Sequence, residues 1–473
     1  MGMSMRRAAV VQLGSKYASI AAQLLITAVL ARLVTPEQFG ILAIVTVFTS
    51  FFTLFSDMGI GVAIVQFQDL TEHDFGRLFG FSVVLATALA LAFCAAGAPI
   101  AAIYGEAELV PLCCASSATL FLATLNMVPN GIMLRERKFA QIGLRLVVAT
   151  VVSGACGIAG AVAGWGAYAL VAQNVMQYAV VLVWNLLSRP IRHVSLHFRE
   201  TLRHVFAYSA FQFGSSLINY FNRNLDNLLV GRVAGPAALG YYDKAYKLTT
   251  YPMTSFSSVI ASVVQPYMAS HQDEPDVIFD CWRRMCKLCS LVGAAIAVCM
   301  FCCSEEIVTI MYGDNWATSV PILHALAAGV YAQMVGNPTG AFFQSLGRTD
   351  LMFRCSVANT LIMVAAISSG ILLGDIVWLS WLVSAAFFCQ LVSIAHYLVR
   401  RGFHKSVRCM AEFVPEMVSA VVAVAITNVV ASFVPDSTLL QLAAKLAVSG
   451  LSLLALFAVC GQLEPLRALF RRA

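Results

Sequence analysis

Residues 78–98 read LFGFSVVLATALALAFCAAGA, a run without a charged residue or an amide. At 1.5 Å of rise per residue, about 20 such residues span the roughly 30 Å hydrocarbon core of a bilayer, so the run reads as a transmembrane helix. Working outward, similar apolar runs occupy 9–33, 39–65, 108–133, 140–162 and 166–188. After a polar stretch they resume at 205–231, 239–267, 285–303, 317–345, 351–373, 376–399, 410–434 and 438–460. The fold class this predicts is an all-α integral membrane protein of about fourteen transmembrane helices, with no room for a sizeable soluble domain.

Composition agrees. Apolar residues make up 60% of the 473, charged residues 11%, and the mean hydropathy is +0.80, beyond what a soluble chain carries. The net charge of +6 does not imply nucleic acid, because Lys and Arg sit in short loops and form no continuous basic face. No Walker loop is present, which argues against ATP hydrolysis by this chain. The fourteen cysteines include Cys113 and Cys114, Cys302 and Cys303, and one C-x-x-C at Cys286 and Cys289. No second pair or nearby His completes a metal site, so they read as small apolar fillers, and no metal or cofactor is expected.

The basic residues set the orientation. Arg135, Arg137 and Lys138, the linker with Arg189, Arg192, Arg199 and Arg203, the loop with Arg400, Arg401, Lys405 and Arg408, and the tail with Arg467, Arg471 and Arg472 all fall on one side. The opposite loops, such as Ser304 to Asn315, have no Lys or Arg. Both termini are therefore expected in the cytoplasm, and the run from Ala8 to Leu33 is read as a retained first helix. The organisation expected is an N-lobe over 1–188, a linker over 189–204, a C-lobe over 205–399, and two further helices with a basic tail over 400–473. In the linker, Ile191, Val194, Phe198, Leu202 and Val205 recur at three or four, as in an amphipathic tether lying along the interface.

The two six-helix halves repeat one another. Leu33, Pro36, Gly40 and Gln66 match Val233, Pro236, Gly240 and Gln265; Tyr104, Gly105, Glu106 and Pro111 match Tyr312, Gly313, Asp314 and Pro321; Pro129 and Gly131 match Pro338 and Gly340. Because each copy holds an even number of helices, the copies are parallel, related by an axis along the membrane normal. Two such lobes are expected to enclose a central cavity that rocking would open to alternate sides.

Polar groups inside the membrane are costly and need a reason. On the seventh helix Gln212, Ser216, Asn219, Arg223 and Asp226 share one stripe, and the eighth carries Asp243, Tyr246, Lys247 and Thr250, with Lys244 beside them. Three cations against two carboxylates leave a net positive group, suited to an anionic headgroup such as a pyrophosphate. A self-neutralising ion-pair network that locks the hairpin is the other reading. Secondary candidates are Lys16 and Gln23 in the polar row of the first helix and Asp57 near the end of the second, while Gln173, Asn174 and Gln177 on the sixth and Asn337 and His324 on the tenth could bind sugars or move protons. A His within an apolar helix, such as His324 or His396, is more often a packing residue than a proton relay.

Residues 223–231, RNLDNLLVG, continuing through Leu239-Gly240-Tyr241-Tyr242 to Ala245-Tyr246-Lys247-Leu248, resemble the polysaccharide transporters of the Wzx type, especially the WzxC-like lipopolysaccharide biosynthesis proteins of the multidrug, oligosaccharidyl-lipid and polysaccharide exporter superfamily. Asp57-Met58-Gly59-Ile60-Gly61 with Ala63-Ile64-Val65-Gln66 is a second point of resemblance, although Phe67 stands where that family commonly has a basic residue. The resemblance covers nearly the whole chain. It implies a flippase, not an enzyme, that moves a polyprenyl-pyrophosphate-linked oligosaccharide from the cytoplasmic to the periplasmic face of the bacterial inner membrane. It also implies a substrate site at Arg223, Asp226, Tyr246 and Lys247. Membrane lipid and polysaccharide assembly proteins would be its partners, and a functional monomer is consistent with two lobes in one chain. A drug or cation antiporter of the same superfamily would want a net acidic cavity, and a polymerase or ligase would want a long outer loop.

Overall fold

The computed structural model describes residues 5–57, 60–67, 69–199, 201, 220, 224–269, 274–435 and 437–462. The described residues are α-helical with short connections. In order the helices are α1 (Met5–Leu33), α2 (Pro36–Asp57), α3 (Ile60–Gln66), α4 (Glu72–Tyr104), α5 (Leu109–Leu125), α6 (Met127–Arg135), α7 (Phe139–Val162), α8 (Ala167–Ser188) and α9 (224–233). They continue with α10 (Gly235–Ala269), α11 (Pro275–Cys302), α12 (Ser304–Tyr312), α13 (Ser319–Gly336), α14 (Thr339–Ser345), α15 (Thr349–Leu373), α16 (Ile376–Ile394), α17 (Val414–Ala431) and α18 (Thr438–Val459).

Among the described residues twelve helical segments are long and apolar enough to cross a membrane, which makes this a multi-pass membrane protein. Most of the expected seventh span lies outside the described residues. The eighth appears as α10, long enough to cross at 35 residues. It falls outside the twelve because Asp243, Lys244, Lys247 and a series of hydroxyls dilute its apolar character. Large apolar side chains stand outward, such as Leu372 at 87% exposure and Leu187 at 78%, as a lipid-facing surface requires.

Local chemistry sets the helix ends. Thr71 caps α4 in a reciprocal box: the Asp74 backbone N–H donates to the Thr71 hydroxyl, and the Thr71 N–H donates to the Asp74 carboxylate at 3.0 Å. The repeat is legible in matching stops. Gly105 ends α4 at φ 75° and its counterpart Gly313 follows α12 at φ 87°, both left-handed positions that favour glycine. The matched prolines mark matched breaks: α5 gives way to α6 at Asn126, three residues before Pro129, and α13 gives way to α14 at Pro338.

The chain packs as two compact units, Met1–Gly240 with Met311–Asn315, and Tyr241–Ile310 with Trp316–Ala473. In the first, α1 packs on α7, α7 on α8, and α4 on α5. Small residues permit this, since lipid supplies no hydrophobic drive between helices. On α7, Gly154 sits under Ile26 and Gly157 under Gln173, each too close for a Cβ. A Cβ on Gly40 would lie 1.7 Å from the Pro236 carbonyl oxygen, and one on Gly240 would lie 2.0 Å from that of Pro36. The two repeat-mate glycines thus let the starts of α2 and α10 meet backbone to backbone, reciprocally. Cys94 and Cys114 join α4 to α5 as a disulfide, so these two cysteines are not simple apolar fillers.

The expected lobe boundary lies at 189–204, whereas the packing divides inside α10. Residues up to Gly240 side with the first unit, where the Tyr220 hydroxyl donates to the Val47 carbonyl at 2.7 Å and the Tyr104 hydroxyl to that of Leu228 at 3.1 Å. The linker also differs from the amphipathic pattern read in it. Residues 190–198 are non-helical, with bends at His193 and Leu196, and lie along α4. Gly76 and Gly80 leave a trough in α4 that brings the backbone oxygens of His193 and Ser195 close, His193 adopts φ 59°, and Phe198 meets Phe81 edge-on at 5.2 Å.

In the second unit α11 packs on α13, α13 and α15 on α16, and α17 with α18 on α11. Trp282 at its core is fully buried against Phe279, Phe403 and Phe413. Ion pairs hold the last two helices: Lys287 to the fully buried Glu416, Arg283 to Glu412 at 2.5 Å, and Lys445 to the buried Glu306 at 2.5 Å.

Candidate functional site

The charged candidates on α10 belong to the second unit. Asp243, Lys244 and Lys247 lie about 12–18 Å along the helix from Gly235, in the first third or so of its length. The Lys247 ammonium donates to the Asp243 carboxylate at 2.7 Å, the i,i+4 pairing a helix makes readily. Asp243 is buried at 8% exposure while Lys247 keeps about half of its side chain open, so the pair has a buried carboxylate and an accessible cation. Lys244 is buried at 6% one residue along, and two lysines against one aspartate leave this stretch net positive. Tyr246 stacks on Tyr242 with ring centroids 5.9 Å apart, and its carbonyl accepts from the hydroxyls of Thr249 and Thr250.

Asp226 lies on α9 in the first unit. It is buried, and its carboxylate accepts the Asn227 N–H at 2.9 Å. Gln212, Asn219 and Arg223 lie outside the described residues.

The secondary candidates separate. Lys16 and Gln23 on α1 are half-buried, and Ser19 between them shares a hydrogen bond of 2.7 Å with Thr150 of α7, so part of that polar row serves packing. Asp57 is the last residue of α2, at a helix end as its position suggested. Asn337 follows α13 at its break and is exposed. His324 sits against the Phe301 ring with centroids 3.6 Å apart, in an aromatic group completed by Trp381. The Gln173 side chain is buried beside Gly157.

Two polar features escaped the reading of the sequence, apart from Asn174 in the second. Arg145 on α7 is buried at 7% and held by amides, donating to Asn185 and, at 3.1 Å, to Asn130; Asn185 in turn donates to Asn126 at 2.6 Å. Four polar positions far apart in the chain thereby brace the break between α5 and α6. The second is a cavity of about 120 Å³ inside the first unit. Thr46, Thr49, Ser50 and Thr53 of α2 line it with Ser116 and Thr119 of α5, and Asn174 and Tyr178 of α8 complete it. Among the described residues its lining has no charged side chain. The hydroxyls of α2 recur at three, one and three residues, a helical stripe visible in the sequence once one looks for hydroxyls rather than charges.

A sequence profile described as polysaccharide biosynthesis protein matches residues 29–321. The teichuronic acid biosynthesis protein TuaB of Bacillus subtilis (strain 168) is 24% identical over 355 residues, covering 75% of this chain and 72% of its own. The lipopolysaccharide biosynthesis protein WzxC of Escherichia coli (strain K12) is 25% identical over 370 residues, 76% of this chain and 74% of its own. Among solved structures, the lipid II flippase MurJ in an inward closed conformation superposes with a TM-score of 0.76 at 12% identity, covering 95% of this chain and 98% of its own, which shows a shared fold. With well over half of its length matched by that profile, the chain belongs to the polysaccharide biosynthesis protein family.

Proposed function

We propose that the protein is a flippase that carries a polyprenyl-pyrophosphate-linked oligosaccharide from the cytoplasmic to the periplasmic leaflet of a bacterial inner membrane, by alternating access, for the assembly of a surface polysaccharide. The observation that carries the proposal is the net positive stretch from Asp243 to Lys247, with Lys247 accessible, in a 35-residue helix of a polysaccharide biosynthesis family member. A pyrophosphate brings the matching charge, and charge-assisted hydrogen bonds from lysine and arginine suit it. In this reading Arg223 and Lys247 engage the pyrophosphate, Lys244 adds to the local field, and Asp226 and Asp243 orient the cations. Tyr246, Gln212 and Asn219 add hydrogen bonds, with Lys16, Gln23, Asp57, Asn337 and His324 as secondary positions. Both termini are cytoplasmic, the repeat copies are the moving parts, and one chain suffices for transport, with polysaccharide assembly proteins receiving the product.

The test is translocation of a labelled polyprenyl-pyrophosphate oligosaccharide in proteoliposomes, scored by its accessibility to an enzyme added outside. Arg223→Ala and Lys247→Ala are each expected to slow it about 10- to 100-fold, the worth of one charge-assisted hydrogen bond, with normal yields of folded protein. Loss of folded protein in both variants would instead assign these charges to a structural ion-pair network. Failure of the wild type to move any of several glycans would overturn the flippase reading itself.

A further inference from the structure

We propose that the hydroxyl-lined cavity of the first unit is a subsite for an uncharged sugar of the transported glycan, an inference that rests on the flippase reading above. Its depth is the first argument. Thr46 to Thr53 lie about 15–25 Å along α2 from Pro36, and Asn174 to Tyr178 about 10–17 Å along α8 from Ala167, both near the middle of a bilayer core about 30 Å thick. Polar side chains concentrated at that depth are costly unless something answers their hydrogen bonds.

The state of the hydroxyls is the second argument. Thr49 donates to the Val45 carbonyl and Thr53 to that of Thr49, each at 2.8 Å, which leaves their oxygen lone pairs as acceptors. Thr119 lines the same cavity at 6% exposure, and its hydroxyl has no hydrogen-bond partner among the described residues. Asn174 supplies both donors and acceptors. Sugar hydroxyls also donate and accept at one atom, so a polyol matches this mixed set.

Charge points to the class of sugar. With no cation among the described residues of the lining, a uronate carboxylate would lose its hydration without a counter-ion from them, and with no carboxylate among them a cationic drug would fare no better. Leu42, Val45 and Ala123 complete the wall and suit the C–H face of a pyranose. At about 30 Å³ per water, a cavity of about 120 Å³ holds the equivalent of about four waters, enough for one edge of a single sugar ring rather than a chain.

The experiment uses the full chain in proteoliposomes with three probes: polyprenyl pyrophosphate bearing a disaccharide with a terminal glucose, the same with glucuronate in its place, and the sugar-free carrier. Wild type is expected to move the glucose probe at least about tenfold faster than the glucuronate probe. Thr119→Val, nearly isosteric, and the double variant Thr49→Val with Thr53→Val are each expected to slow the glucose probe about 3- to 10-fold, the loss of one or two neutral hydrogen bonds. Neither should change the rate of the sugar-free carrier, and Thr119→Ser, which keeps the hydroxyl, should restore the glucose rate. Equal wild-type rates for the two disaccharides, or variants that leave the glucose rate unchanged, would overturn the subsite while the flippase reading stands. No movement of any probe by the wild type would overturn both. If Thr119→Val fails to fold, the double variant on α2 decides the matter with the same readout.

Discussion

Replacing Gly40 by alanine should destabilise the protein more than almost any other single methyl. The added Cβ would lie 1.7 Å from the Pro236 carbonyl oxygen, 2.5 Å from its carbon and 3.0 Å from the Gly240 nitrogen. A relaxed carbon–oxygen contact is about 1.5 Å longer than the first of these, and the atom in the way is backbone at the start of a helix, which cannot rotate aside. Overpacking a core costs about 1–3 kcal/mol when side chains can adjust, so a displaced backbone puts the cost at about 3 kcal/mol or more. At about 2–4 °C per kcal/mol for a unit of this size, thermal unfolding of the purified protein in detergent, followed by intrinsic fluorescence, should fall by about 6–12 °C. Gly240→Ala, whose Cβ meets the Pro36 oxygen at 2.0 Å, should behave alike. Gly450→Ala is the control: it lies inside α18 with nothing within 4 Å of the new Cβ, and the gain in helix propensity should raise Tm slightly. A Gly40→Ala protein that unfolds at the wild-type temperature would refute the backbone-to-backbone contact between the starts of α2 and α10.

Two further outcomes follow from ion pairs. Lys287→Met strands the fully buried Glu416 and should cost about 3–5 kcal/mol, whereas the double variant Lys287→Met with Glu416→Leu should recover most of that loss in the same unfolding assay. Burial tends to raise the Glu136 carboxyl, but the Lys138 ammonium and the Arg189 guanidinium outweigh it and hold it below the ordinary value of 4.5. A depressed carboxyl stabilises the fold above its unfolded value and loses that contribution as pH falls through the folded one. The tie between Arg189 and Glu136 should therefore loosen below about pH 4.5, read as faster hydrogen exchange in the 189–199 segment, and Glu136→Gln should remove this pH dependence.

Much of the architecture was open to reading along the chain. The apolar runs marked the spans, and Pro129 and Pro338 marked the breaks that became α5 and α6, α13 and α14. Tyr104-Gly105 and Tyr312-Gly313 marked equivalent helix stops. The pairing of Asp243 with Lys247 was implicit in their spacing, because i and i+4 meet on any helix. The linker was misleading: its apolar period matched an amphipathic helix, but Pro190 at its start, His193 in a left-handed conformation and the trough made by Gly76 and Gly80 favour an irregular, non-helical chain over 190–198.

The amino-acid sequence by itself determined that this is a membrane-spanning helical protein with an internal repeat and charges inside its spans, because hydropathy, helix breakers and helical spacing act over one or a few turns. Only the tertiary structure decided which polar groups are partnered. Arg145 met Asn130 and Asn185, Lys287 met Glu416, and Thr119 was left without a partner among the described residues in a cavity built from α2, α5 and α8. Those outcomes depend on which helix faces come together across tens to more than a hundred residues, and no local pattern along the chain records that choice.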